Sequence, residues 1–173
     1  MNKVIGICLT GKAGSGKSTI AEQLAKNDGF TRMSFAQKVK DIARDILMRP
    51  IDKTDLLDRE FLQKLGTDLA RKRDPDVWIK HFFTAYAQWT RFLKNRFVVD
   101  DCRFKNEADF LREHGFVIVR VEGRGYDMGA LGAHASETEL DEIAVDFAVD
   151  NGGDIMDTVA QLKWQLKKWG VQL

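Results

Sequence analysis

The sequence predicts an α/β protein of three layers, α/β/α, with helices on both faces of a five-stranded, mostly parallel sheet. Three observations predict it. Apolar runs of strand length alternate with amphipathic helical patterns, the alternation that produces a parallel sheet covered on both sides. A glycine-rich segment lies at the junction of the first strand and the first helix, where the chain must turn tightly. No internal repeat, low-complexity block or Ser/Pro-rich linker divides the chain, so residues 1–173 read as a single domain, a length that buries roughly two thirds of its unfolded surface.

Taken in order, the strands fall at Lys3–Leu9, more weakly at Thr31–Phe35, then at Phe97–Val99, Val117–Val121 and Phe147–Val149. The first helix fits Thr19–Lys26. Val39, Ile42, Ala43, Ile46 and Leu47 follow the i, i+3, i+4, i+7, i+8 rule, with Ser34 and Gln37 forming a capping box ahead of them. Further helices fit Arg59–Arg71, Val77–Leu93, Lys105–His114 with Gly115 at C′, and Ile155–Trp169. On the Arg59–Arg71 helix, Phe61, Leu62, Leu65 and Leu69 make a core stripe, while Arg59, Gln63, Gly66, Thr67 and Arg71 share a polar face. A glycine inside a helix costs about 1 kcal/mol against alanine, so Gly66 marks either a ligand lying close to the backbone or a tight helix crossing. Pro50 and Pro75, the two prolines of the chain, fall where helices should stop. Residues 36–95 thus form a helical insertion, and 123–137, with four glycines between Gly123 and Gly132 and no apolar period, form a short lid loop.

Charge excludes some partners. The 27 Lys+Arg balance 26 Asp+Glu to a net +1, so no global field draws in a nucleic-acid polymer or an anionic membrane, and any bound anion must be caught by local geometry. The apolar Val4–Ile7 stretch is too short for a signal or a membrane span, and a cytoplasmic protein is expected. Cys8 and Cys102 make neither a zinc spacing nor a disulfide framework; both are expected reduced, Cys8 in the core. Whether two copies pair as a homodimer is left open.

Gly11-Lys12-Ala13-Gly14-Ser15-Gly16-Lys17-Ser18 matches G-x-x-x-x-G-K-[ST] in full, between a predicted strand and a predicted helix. This is a P-loop. Small residues at 13 to 16 let backbone N–H groups curl around phosphate oxygens, and the helix N-terminus, running on through Thr19, adds its partial positive charge. Lys17 should reach the β/γ-phosphates of ATP or GTP, and the Ser18 hydroxyl should ligate the accompanying Mg²⁺. The loop does not name the group that receives the phosphoryl.

A second constellation, Asn95-Arg96-Phe97-Val98-Val99-Asp100-Asp101-Cys102-Arg103-Phe104-Lys105-Asn106-Glu107, reads as a strand that ends in acids followed by a helix start, which puts charge at the ligand end. Glu107 lies one turn beyond Arg103, near enough to hold its guanidinium, and an aimed arginine beside an acid suits phosphoryl transfer. The alternative is an exposed i,i+4 pair worth about 0.3–0.5 kcal/mol, with Asp101 as a helix cap.

Together, GKAGSGKST, Ser34-Phe35-Ala36 with Lys38 and Lys40, Gln63-x-x-Gly66-Thr67-x-x-x-Arg71, Asp74-Pro75-x-x-Trp78, Asp101-x-Arg103-x-x-x-Glu107 and His134-x-Ser136-Glu137 resemble the phage-type deoxynucleoside monophosphate kinases over nearly the whole chain. The resemblance implies the P-loop nucleoside monophosphate kinase fold, ATP as donor, Mg²⁺ as cofactor and a deoxynucleoside monophosphate as acceptor, bound by the 36–95 insertion. It implies that Asp101, Arg103 and Glu107 contact the acceptor or its phosphate, that Trp78 stacks near its base, and that Phe35, Lys38, Gln63, Thr67 and Arg71 line the same site. Arg59, Arg71 and Arg73 all compete for the acceptor phosphate. Asp101 either orients the acceptor or holds a metal-bound water.

The lid is expected to carry Arg124 over the reacting phosphates and exclude water. Ser136 with Glu139 reads as a capping box, and His134 as a solvated loop residue. Asn151, in Asp150-Asn151-Gly152-Gly153, is either a contact to the donor base, as in P-loop kinases it resembles, or a plain turn residue. Lys17 and Arg103, with Asp101 and Arg124, are the expected catalytic group. Rival readings are a P-loop kinase acting on phosphomevalonate, dephospho-coenzyme A or a sugar acid, and a nucleotide-binding regulatory module.

Overall fold

The computed structural model describes residues 4–52, 54–92, 95–123 and 139–171. Five strands, β1 (Ile5–Thr10), β2 (Thr31–Met33), β3 (Arg96–Val99), β4 (Phe116–Glu122) and β5 (Phe147–Asp150), form one sheet in the order β2-β3-β1-β4-β5. All four pairings are parallel, with Cys8 opposite both Val99 of β3 and Ile118 of β4, so the mostly parallel sheet of the sequence is parallel throughout its described strands.

Successive residues of a strand point to opposite faces, and the core divides accordingly. Ile7 and Leu9 of β1, Val98 of β3 and Val119 of β4 pack under α1 (Lys17–Asp28) and α6 (Ile155–Lys168) with Ile20, Leu24, Leu162 and Leu166. Cys8, Phe97, Val99 and Ile118 face the other layer, α4 (Val77–Arg91) and α5 (Lys105–Glu113), through Phe82, Tyr86, Ala108 and Leu111. Cys8 and Cys102 are free thiols, both buried. Among the described residues no helix is long and apolar enough to cross a membrane.

Between β2 and β3 lies the helical insertion: α2 (Gln37–Leu47), α3 (Leu56–Gln63), its π-helical continuation Lys64–Arg71, and α4. Two local expectations change here. The single helix Arg59–Arg71 begins earlier, at Leu56, and is π-wound in its second half; Asp55 caps it by accepting from Leu57 N–H at 2.7 Å. A π-helix closes its turn at i+5 rather than i+4, so Arg71 comes nearly beneath Gly66 and both are buried, while Leu69 swings outward and is 64% exposed rather than part of a core stripe.

The Ser34/Gln37 capping box is also absent. α2 starts from Ala36 with no cap from its own side chains, because Ser34 Oγ donates instead to Asp101 Oδ2 at 2.5 Å. Asp101 holds the turn ahead of the helix instead, accepting from Phe35 N–H at 3.1 Å and Ala36 N–H at 3.0 Å. A carboxylate accepts these bonds with a full charge, which makes it the stronger partner for the Ser34 hydroxyl.

Candidate active site

The carboxyl ends of the strands converge on one edge of the sheet, as a parallel α/β sheet requires of its ligand site. Gly11 follows β1, Ser34 follows β2, Asp100 follows β3 and Asn151 follows β5. Thr10 Oγ1 donates to Cys102 O at 3.1 Å, which fixes the segment carrying Asp101 and Arg103 beside the glycine-rich loop.

The loop itself turns through Gly11, Gly14 and Gly16, all with positive φ, into α1. Lys17 Nζ lies over it, donating to Gly11 O at 2.6 Å, Lys12 O at 2.7 Å and Ser15 Oγ at 3.2 Å. Burial pushes the Lys17 ammonium down to about 8; the Arg103 guanidinium lowers it further, and Asp100 and Asp101 oppose both. Arg103 therefore shares an electrostatic environment with the loop lysine, the arrangement that sums positive charge where polyphosphate would lie.

A cleft of about 1050 Å³ opens beside this group. It is lined by Ala13, Gly14, Lys17 and Ser18 of the loop and, opposite them, by every acceptor-side residue the sequence singled out: Phe35, Lys38, Gln63, Thr67, Arg71, Trp78, Asp101, Arg103 and Glu107. Gly11, Ser15, Gly16 and Thr19 stand outside its lining. Of the three competing arginines, Arg59 and Arg71 line the cleft and Arg73 does not.

Several of these side chains are already committed. Glu107 is buried at 2% exposure and pairs with Arg71 through Oε1, while its Oε2 accepts from Arg103 N–H at 2.9 Å and Phe104 N–H at 3.2 Å. The sequence placed Glu107 against the Arg103 guanidinium; its ion pair is with Arg71, which comes from the insertion, and its bond to Arg103 is to the backbone. Desolvation pushes the Glu107 carboxyl up to about 7, against the pull of Arg71 and the two amides. Arg71 also donates to Pro75 O at 3.0 Å and lies 3.9 Å over the Phe104 ring. Trp78 gives its indole N–H to Gly66 O at 2.8 Å. Phe35 stacks on Phe82 with centroids 4.4 Å apart. A Cβ built at Gly66 would meet Val39 at 3.5 Å and the Trp78 indole at 3.9 Å, so this glycine sits at a helix crossing.

Asn151 lies behind the loop: it is fully buried and its side-chain amide donates to Ser15 O at 2.8 Å. Arg124, His134 and Ser136, and with them the lid at 123–137 apart from Gly123, lie outside the described residues. Asp100, one of the two acids in which the third strand's run ends, is given no role by the sequence; it follows β3, is nearly buried, accepts from Arg32 at 2.8 Å and acts on Lys17. The signal was present, since an apolar strand ending in Asp is the companion that P-loop proteins use beside Mg²⁺.

The donor set suits Mg²⁺ shared with a substrate better than a resident metal. Among the described residues no cluster of three or more His, Cys, Asp or Glu could hold an ion. The cleft lining includes the Ser18 hydroxyl of the loop and the carboxylates Asp100 and Asp101 just after β3, and Mg²⁺ is ordinarily held by one or two such groups plus phosphate oxygens.

Comparison with known proteins agrees with this geometry. The model of the deoxynucleotide monophosphate kinase family matches residues 54–162, which carry the insertion from α3 onward, the Asp101–Glu107 constellation and β5. A protein of Acanthamoeba polyphaga mimivirus, named as a candidate deoxynucleotide monophosphate kinase, is 30% identical over 90% of this chain and 93% of its own length. Among solved structures, a dephospho-CoA kinase from Campylobacter jejuni superposes with a TM-score of 0.55 at 17% identity, covering 96% of this chain and 98% of that one. A shikimate kinase from Aquifex aeolicus gives 0.51 at 13% identity, over 96% and 98%. At such identities the structures share the fold alone, and the acceptors in their names do not transfer. The match of the family model over most of the chain, together with a relative aligned almost end to end, places this protein in the deoxynucleotide monophosphate kinase family.

Proposed function

We propose that the protein transfers the γ-phosphoryl group of ATP directly to the 5′-phosphate of a deoxynucleoside monophosphate, giving ADP and a deoxynucleoside diphosphate. The observation that carries this is the single cleft in which the loop residues Lys17 and Ser18 face the acceptor-side residues from Phe35 to Glu107. Donor and acceptor phosphates entering one cleft from its two sides meet in line, and holding them so is most of what phosphoryl transfer needs from a protein.

Each residue then has a task. The loop amides and Lys17 hold the donor phosphates, and Arg103, which already acts on Lys17, neutralises charge developing between donor and acceptor. Arg59, Lys38 and Arg71 supply cations to the acceptor phosphate, and Trp78 with Phe35 walls the base side. Asp101 holds Ser34, Phe35 and Ala36 and so shapes the acceptor wall. Mg²⁺, held through Ser18 with Asp100 nearby, would screen the phosphate charge that the side chains alone leave unneutralised. Arg124 is assigned to the lid that closes over the transfer.

The test is ADP release from MgATP with dAMP, dGMP, dCMP and dTMP, each alone, beside the four ribonucleotides and a blank without acceptor. Release that depends on one or more deoxynucleotides is expected. A rate equal to the blank with every acceptor would refute the kinase reading and leave a nucleotide-binding module.

A further inference from the structure

The corner after β5 supports the glycine-rich loop from behind, through one side chain. Asn151 is fully buried, and its own N–H is tied to Glu122 O of β4 at 2.9 Å. Its Nδ2 donates to Ser15 O at 2.8 Å, a contact spanning 136 positions of sequence. Its Oδ1 lies 2.9 Å from Thr158 Oγ1, in the first turns of α6. A backbone carbonyl can only accept, so the amino group must face Ser15; the oxygen is thereby turned to Thr158, whose hydroxyl donates to it. Thr158 is itself buried; its one hydroxyl proton also has Asp150 O and Asp154 O within reach at 3.2 and 3.1 Å, and the 2.9 Å approach to Asn151 Oδ1 is the shortest of the three.

Pinning Ser15 O has a consequence for the next residue. A trans, planar peptide sets its carbonyl and its N–H on opposite sides, and no described peptide is cis. With the Ser15 carbonyl held at Asn151, the Gly16 N–H is directed away from that corner. Gly16 stands just before α1, at φ 93°, where the amides that open a helix have no partner within it and form the anion cradle. Glycine at this position leaves the Ser15–Gly16 peptide free to rotate at little cost, so its orientation has to be imposed from outside. Gly16 and Asn151 are fitted to each other: a Cβ at Gly16 would stand 2.1 Å from Asn151 Nδ2.

We propose that Asn151, oriented by Thr158, is a positioning residue for the donor nucleotide: it fixes the Ser15–Gly16 peptide so that the Gly16 N–H points at the bound polyphosphate, without itself touching the nucleotide. This rests on the reading of the loop as the ATP site. It also couples α6 and β5, which carry no acceptor-side residue, to donor binding alone.

The experiment is calorimetric titration of MgATP into the wild type and the Asn151→Ala, Thr158→Val and Thr158→Ser variants, with thermal melts and steady-state kinetics of the same samples. Losing one neutral hydrogen bond of this kind corresponds to roughly threefold to tenfold. Asn151→Ala is expected to weaken MgATP binding about tenfold and Thr158→Val about threefold, while Thr158→Ser, which keeps the hydroxyl, binds like the wild type. KM for ATP should rise in step, and KM for the deoxynucleotide at saturating ATP should stay put, a split that general loosening of the fold would not produce. Should Asn151→Ala fail to fold, the near-isosteric pair Thr158→Val and Thr158→Ser decides alone. Variants that melt earlier yet bind MgATP as tightly as the wild type would overturn the proposal. A wild type that binds no MgATP would instead overturn the nucleotide site on which it stands.

Discussion

Lys17 is the residue where burial and charge conflict most directly. Unfolded, its ammonium titrates near 10.5; in the folded chain desolvation brings it to about 8. Between those values the folded protein holds fewer protons than the unfolded one, so stability rises with pH across that window, and below pH 8 the fold carries the full cost of the buried charge. Lys17→Met is accordingly expected to raise Tm at pH 7, to lose that advantage between pH 8 and 10, and to abolish phosphoryl transfer with every acceptor. A variant less stable than wild type at pH 7 would mean that the bonds to Gly11 and Lys12 outweigh the desolvation. Arg103 sits on the other side of the same balance. Arg103→Ala should lower kcat by about 10²-fold or more while leaving MgATP affinity largely intact, and it should move the Lys17 titration upward, since the guanidinium is one of the groups depressing it. Near-normal turnover would assign Arg103 a structural place only.

At the scale of elements, the π-helical stretch Lys64–Arg71 departs most from its sequence pattern. It brings Gly66 against Val39 of α2 and Trp78 of α4, and Arg71 against Glu107 of α5. A methyl group at Gly66 would meet its neighbours at ordinary contact distance, so no packing argument forbids it. Gly66→Ala should stabilise the protein by about 0.5–1 kcal/mol through helix propensity and a stiffer unfolded chain. If the acceptor lies against this backbone, KM for the deoxynucleotide rises in the same variant with KM for ATP unchanged; if the glycine serves the crossing alone, both stay at the wild-type value. Melting and kinetics on one preparation separate the two. The start of α2 makes a related point. Ser34 and Gln37 have the spacing of a capping box, yet the Ser34 hydroxyl goes to Asp101, 67 positions away, which holds the turn ahead of the helix. Local spacing says where a helix can begin, and the strongest acceptor within reach decides how.

At the scale of the whole molecule, the Arg71–Glu107 pair joins the helical insertion to the helix that follows β3, at the floor of the cleft. Both partners are nearly buried, and removing one leaves the other charged and unmatched, which costs about 3–5 kcal/mol. Arg71→Ala should therefore lower Tm by about 10 °C at pH 7.5, and the double variant Arg71→Met/Glu107→Leu should recover much of that loss while remaining inactive. A loss under 1 kcal/mol in the single variant would show that this pair is not what holds the insertion to α5. The sequence by itself determined the layers, five strands near their observed bounds and the phosphate loop. These follow from local periods and from a motif whose atoms lie within a few bonds of one another. The tertiary structure decided the strand order, the π-winding of Lys64–Arg71, and the partners of Asp101, Glu107 and Asn151. A polar group's partner is whichever donor or acceptor the fold carries to within about 3 Å, and for these three that partner lies 36 to 136 positions away, beyond the reach of any local pattern.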